Sequence, residues 1–296
     1  MTLAYLAWVT VCIVWGTTYL AIRVALETVP VLLLAGIRWL AAGALLSVIL
    51  VALGRRLPGP RAWAPLLLLA VLMNVLGNGL VVWAELYVAS GLTAVVVATV
   101  PFWLVLIEAC LPKGERFSAG ALAGLVVGFV GILVLVWPEL TMGGSSGRSF
   151  VAGVVALQLA CAAWAIGTSY TKRHKVGEDP FAASAVQMMF SGTILLGVAT
   201  MRDEWNALHF TMRSFSALAY LTIAGSLVAY TAYVYAVKYL PLSTVSLYAY
   251  INPVLAVLLG SLLLDEPFSL RIIGAAALVL GGIWVVSRTP GSARQT

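Results

Sequence analysis

The sequence predicts an all-α integral membrane protein of ten transmembrane helices, arranged as two inverted five-helix repeats around a central cavity. Three observations carry this. Of 296 residues, 62% are hydrophobic and 9% charged, against roughly 25% charged in soluble domains. Apolar runs of about 20 residues, long enough to cross a hydrocarbon core, recur along the chain. The stretch from Tyr87 to Trp137 also recurs from Tyr239. Pro101 finds a partner in Pro253, 152 residues on, while Glu115, Phe117, Ser118 and Gly131 find theirs in Glu266, Phe268, Ser269 and Gly282, 151 on. A fixed offset of about half the chain marks an internal repeat.

Taken in order, the apolar runs place spans at 3–22, 32–53, 63–84, 90–111, 118–137, 151–170, 181–201, 214–236, 241–263 and 270–288. The weakest break, Glu85–Ser90, separates the third from the fourth. A polar stretch, Pro138–Ser149, supplies the linker: residues 1–140 form the first repeat, 141–150 the connection and 151–296 the second repeat. With the N-terminus in the cytoplasm, eleven Lys and Arg fall inside and five outside, with Arg38 within a span. That bias predicts both termini inside. Five spans is an odd number, so the halves lie upside down relative to each other, the geometry alternating access needs. Looser matches extend the duplication: Trp15 with Trp164, Pro30 with Pro180, Asn74 with Ser226 and Asn78 with Tyr230.

Composition also excludes function classes. The net charge of +6 comes from basic residues in short loops, which signals topology and not nucleic acid. Cys12, Cys110 and Cys161 lie in apolar stretches without CxxC or His neighbours, so they read as small apolar filler, with no metal and no disulfide. Met1–Thr10 has no basic n-region, so the first helix is expected to stay in the mature protein. No Walker loop, HExxH or GxGxxG unit occurs, and no cofactor is expected. Gly143-Gly144-Ser145-Ser146-Gly147 matches G-x-S-x-G but lacks the strand–turn–helix context of a hydrolase. The chain is read as a non-enzyme. Gly120, Gly124 and Gly128, with Gly274, Gly281 and Gly282, form small-residue faces suited to close helix contact. Contact between the fifth and tenth spans of one chain is favoured over dimerisation, hence a monomer.

Trp15-Gly16-Thr17 in the first span, Arg38 in the second, the Pro101…Gly114-Glu115 pattern and the two five-span halves resemble the drug/metabolite transporter superfamily, EamA type. Within that group the sequence resembles bacterial amino-acid exporters of the YddG kind. The resemblance covers nearly the whole chain. One departure is Asp265-Glu266, where the first half has Gly114-Glu115. The resemblance implies a basket of ten helices in the bacterial inner membrane, with a substrate cavity walled mainly by helices one, three, four, six, eight and nine. It implies amino acids, aromatic and other neutral ones, as the small-molecule substrate.

Candidate substrate-binding residues follow from chemistry at repeat positions. Asn74 and Asn78, four apart on one helix face, with Ser226 and Tyr230 opposite them in the repeat, face either a wet cavity or a neighbouring helix. Trp15 and Trp164 lie well inside their spans and serve as cavity walls or as plain packing, with Thr18 and Thr168 within one turn. As walls they would contact an apolar side chain and attract an ammonium over a ring face. Pro101 and Pro253 each remove a helix hydrogen bond and free a carbonyl; hinge and simple kink are both open. Tyr248 and Asn252 flank the second break. Arg38, about two turns from the outer face, is read as structural because arginine snorkels over that depth. Glu108 is read the same way, and Glu115 and Glu266 as caps on the helices that follow them. No buried Asp/Glu/His chain is seen, so the sequence gives no support to proton coupling, and facilitated export down a gradient and another coupling are both open. The alternatives are export of a nucleobase, nucleoside or sugar-like solute, a channel or scaffold, and an intramembrane enzyme.

Overall fold

In the computed structural model the described residues are 2–111, 119–142, 145–174, 179–240, 245, 248–266 and 269–288. Among them every regular element is helical. Helix α1 spans Thr2–Ala25, α2 Val31–Ala52 and α3 Pro60–Ala84. The fourth expected span divides into α4, Ser90–Val97, and α5, Val100–Cys110. Then follow α6 (Ala119–Met142), α7 (Ser145–Arg173), α8 (Pro180–Met201), α9 (Met212–Tyr239), α10 (Tyr248–Leu264) and α11 (Leu270–Arg288). Seven helical runs among the described residues are long and apolar enough to cross a membrane. Three shorter apolar helices, Leu122–Pro138, Tyr248–Leu264 and Leu270–Val285, accompany them.

Local chemistry sets the helix ends. Pro30 precedes α2 and Pro180 opens α8, where a missing N–H and a fixed φ cost nothing. The Asp179 carboxylate accepts from Phe181 N at 2.9 Å, and Thr211 with Ser214 forms a capping box on α9. Two carboxylates from late in the chain cap helices from early in it. Glu204 Oε2 accepts from Leu32 N and Leu33 N at 3.0 and 3.1 Å. Glu266 accepts from Ser90 N and Gly91 N at 2.8 and 3.0 Å. Glu266 is therefore a cap, but of α4 and not of the helix that follows it. The residues before these glutamates, Asp203 and Asp265, have φ of 55° and 51°, a region glycine and aspartate tolerate best.

The stretch read as linker is mostly helical: α6 continues through Pro138 to Met142, and α7 begins at Ser145. Gly143 and Gly144, the turn carrying Lys113, Gly114, Glu115, Phe117 and Ser118, and Phe268 all lie outside the described residues.

Helix α2 packs along α8 and α11 along α6. Helix α1 packs on α9 and α10; α7 packs on α3 and α5, and α10 on α4. The α6–α11 contact is close enough to exclude side chains. A Cβ on Gly282 would stand 2.5 Å from Gly124 O, and one on Gly131 would stand 2.9 Å from Ala275 O. Two helices change pitch midway: α3 is π-helical over Ala70–Asn78 and α9 over Leu221–Val228. Such wide turns re-aim side chains and are frequent at functional sites.

Candidate functional site

A cavity of about 80 Å³ lies among helices from both halves of the chain, smaller than the usual range of small-molecule sites. Helix α1 contributes Trp15, Thr18, Tyr19 and Ile22, a stripe at i, i+3, i+4 and i+7 that shares one helix face. Opposite it stand Arg38 and Trp39 of α2, Gly77, Asn78 and Val81 of α3, Ala160, Cys161 and Trp164 of α7, and Tyr248 of α10, with Val97 and Val100 at the α4–α5 break.

Aromatic rings close one side of this space. Trp15 meets Trp164 edge-on at 5.7 Å and 84°, Tyr248 at 5.4 Å and Tyr233 at 5.1 Å. Its indole N–H donates to the Gly225 carbonyl at 3.2 Å, so the ring is held in one orientation. Trp164 and Tyr248 also line a smaller cleft with Pro101, Leu104, Tyr233 and Val245. Trp164 and Tyr248 thus line both spaces.

Of the residues singled out from sequence, Trp15, Thr18, Asn78, Trp164 and Tyr248 come together on the cavity wall. The other five do not reach it. Asn74 and Tyr230 are buried and joined through Gln187, whose Nε2 donates to Asn74 Oδ1 at 3.1 Å and to the Tyr230 hydroxyl at 2.7 Å. Ser226 Oγ accepts from Arg38 Nε at 2.6 Å. In the orientation that satisfies its neighbours, the Asn252 amide donates to Cys12 O at 2.9 Å and Tyr248 O at 3.2 Å. Thr168 donates to Trp164 O on its own helix at 2.9 Å.

Pro101 lies at the start of α5, after a break at Ala98–Thr99, and lines the smaller cleft. The carbonyls upstream of it are taken: Thr99 Oγ1 donates to Val96 O at 2.8 Å and the Cys161 thiol to Val97 O at 3.7 Å. Cys161 is thus more than filler. Pro253 is buried inside α10.

Two charged groups change the electrostatics expected of the site. Arg38 is 2% exposed and does not snorkel; its guanidinium lies over the Trp39 ring at 5.0 Å. Its Nη1 is buried without a hydrogen-bond acceptor among the described residues, as Asn78 Oδ1 is without a donor. Glu85, passed over as part of a weak loop, is fully buried with both carboxylate oxygens unbonded. Arg23 holds its backbone carbonyl. Burial pushes the Glu85 carboxyl well above its ordinary value; Glu266 adds to the push, and Arg23 and Arg38 oppose it. The one signal in the sequence for Arg38 was an ionisable residue within a span. For Tyr19 it was the i+4 spacing from Trp15. Glu85 had none, because it falls where the apolar run ends.

Comparison with known proteins gives a consistent result. The model of the EamA-like transporter family matches residues 2–137 and again 151–288. The uncharacterized inner membrane transporter YedA of Escherichia coli K12 is 34% identical over 261 residues, covering 87% of this chain and 81% of its own. A chloroplastic WAT1-related protein of Arabidopsis thaliana is 28% identical, over 94% of this chain and 68% of its own. A solved crystal structure superposes with a TM-score of 0.66 at 21% identity, covering 95% of each chain, a likeness of fold alone.

Proposed function

The chain belongs to the EamA-like transporter family, and from that premise we propose that it exports amino acids, aromatic and other neutral ones, across the bacterial inner membrane by alternating access. One observation carries the substrate class. The interior cavity pairs aromatic walls, Trp15, Trp39, Trp164 and Tyr248, with an unbonded amide oxygen on Asn78 and the hydroxyl of Thr18. Rings take an apolar or aromatic side chain, and an amide oxygen takes an ammonium.

The mechanism rests on two inverted five-helix halves, 1–140 and 151–296, making ten spans with both termini cytoplasmic. The double family match supports this reading. So do reciprocal contacts. Gly131 approaches Ala275, and Gly282, 151 residues after Gly131, approaches Gly124, 151 before Ala275. Reciprocity of this kind is the mark of a two-fold relation. In an inverted pair, either half can hold the closed arrangement while the other is open, which alternates access to one site. The ring layer of Trp15, Trp164 and Tyr248 is the gate, and Pro101 and Pro253 are the hinges.

Saturable counterflow in proteoliposomes tests this, with a panel of amino acids, nucleobases and sugars. Counterflow of aromatic and neutral amino acids is the expected result. Preference for nucleobases or sugars moves the substrate class, and flux without counterflow replaces the transporter by a channel.

A further inference from the structure

Helices α2 and α8 each direct one long polar side chain at a π-helical segment. Gln187 on α8 donates to Asn74 and to the Tyr230 hydroxyl. Arg38 on α2 donates to Ser226. Arg38 and Gln187 stand 149 residues apart, while Asn74 with Ser226 and Asn78 with Tyr230 stand 152 apart. The same constellation is therefore written twice, once around Gln187 and once around Arg38.

The two copies differ in completeness. Around Gln187 the bonds to both partners are made in the protein interior, with Asn74 Nδ2 left unbonded. Around Arg38 the bond that would correspond to Gln187–Tyr230 is not made: Arg38 Nη1 and Asn78 Oδ1 are both buried and both unbonded, and both residues line the central cavity. The guanidinium is otherwise fixed. Ser226 holds Nε, Trp39 covers one face, and Gly225 leaves room at Nη2, where a Cβ would stand 3.2 Å away. A cation held in a membrane interior with an unpaired donor is costly. Glu85 makes no hydrogen bond to it.

We infer that Arg38 is the carboxylate site of the transported solute, its Nη1 donating to an α-carboxylate oxygen while Asn78 Oδ1 accepts from the ammonium of the same molecule. This rests on the amino-acid reading above and narrows it: the site selects the zwitterion and discriminates against the corresponding amine. The solute bridges Arg38 and Asn78 across the gap that the Gln187–Tyr230 bond closes in the other copy.

The test uses the full-length chain in liposomes, with tryptophan counterflow as readout and tryptamine, tryptophanamide and indole-3-propionate as competitors. Tryptamine and tryptophanamide, which lack the carboxylate, are expected to compete about 10–100-fold less well than tryptophan, the loss of one charge-assisted hydrogen bond. Indole-3-propionate retains part of the affinity. Arg38→Gln is expected to lower tryptophan affinity by a similar factor and bring the tryptophan-to-tryptamine ratio towards one, with Arg38→Lys intermediate. Equal competition by tryptamine in the wild type overturns the inference while leaving amino-acid transport standing. So does an Arg38→Gln protein that discriminates as the wild type does. If Arg38→Gln does not fold, the competitor series on the wild type decides alone. Absence of tryptophan counterflow, or of any amino-acid flux, overturns the amino-acid reading and the Arg38 assignment with it.

Discussion

At the scale of single residues, the two asparagines of α3 separate binding from stability. Asn78 exposes an unbonded oxygen on the cavity wall, so Asn78→Ala is expected to reduce amino-acid flux about tenfold or more, the worth of a hydrogen bond to a charged group. Its expression and melting temperature should stay unchanged. Trp164→Ala should also reduce flux through loss of the aromatic wall, but with a lower melting temperature, because the ring packs against Trp15, Tyr230 and Tyr233. Asn74→Ala should do the reverse of Asn78→Ala. It deprives Gln187 of a buried acceptor and costs about 1–3 kcal/mol of stability. Flux per folded molecule and thermal stability in detergent check both; loss of flux in Asn74→Ala at wild-type stability would break the distinction. Glu85 supplies a pH signature. Its unfolded-state carboxyl ionises near pH 4.3, whereas burial keeps the folded one protonated to higher pH. Between those two values the unfolded state has released a proton that the folded state retains. Stability therefore falls as pH rises, by about 1.4 kcal/mol per unit, until the folded carboxyl ionises. Glu85→Gln has no such proton. Its Tm advantage over the wild type should be smallest at pH 4 and widen towards neutral pH, and a gap that does not change with pH would refute the assignment.

At the scale of elements, backbone contact between α6 and α11 makes a steep prediction. Gly282→Leu has to push Gly124 O and Gly128 N away from 2.5 and 2.7 Å. Overpacking of this sort costs typically 1–3 kcal/mol or more, and here the obstacle is backbone. Gly281→Ala meets nothing within 4 Å and should be neutral or slightly stabilising. Melting temperatures of the two proteins in detergent check the contrast. These elements also mark how far sequence reading reaches. Helix positions were legible because about 20 apolar residues leave the backbone little choice in a bilayer. Trp15, Thr18, Asn78 and Trp164 reach the cavity wall from positions read at repeat spacing, and Tyr248 from its place beside the Pro253 break. The π segments were not legible, since the single glycine in each of Ala70–Asn78 and Leu221–Val228 does not by itself announce a wider turn. The caps Glu204 on α2 and Glu266 on α4 were hidden for another reason: long-range partners have no local pattern. Asp265 in place of the Gly114 type is explained only once its positive φ is known.

At the scale of the molecule, everything proposed for transport depends on which ends of the helices share a side of the membrane. One end of the bundle gathers Arg23, Glu27, Tyr87, Asp265 and Glu266 around a shared pocket. Salt bridges Arg55–Asp179 and Arg173–Glu108 lie towards the other. With the N-terminus cytoplasmic, the first of these ends is external. The proposed inversion then places Lys113 and Asp265, near-equivalent turn positions of the two halves, on opposite sides. The test is single-cysteine labelling in a background with Cys12, Cys110 and Cys161 replaced by Ala. Lys113→Cys should react with a membrane-impermeant maleimide only after permeabilisation of whole cells, and Asp265→Cys without it. If both react from one side, the halves are parallel. A parallel pair cannot exchange an open half for a closed one by symmetry. The alternating-access reading would then lose its basis, and the Gln187 constellation would stand as a structural contact with no bearing on how the cavity closes.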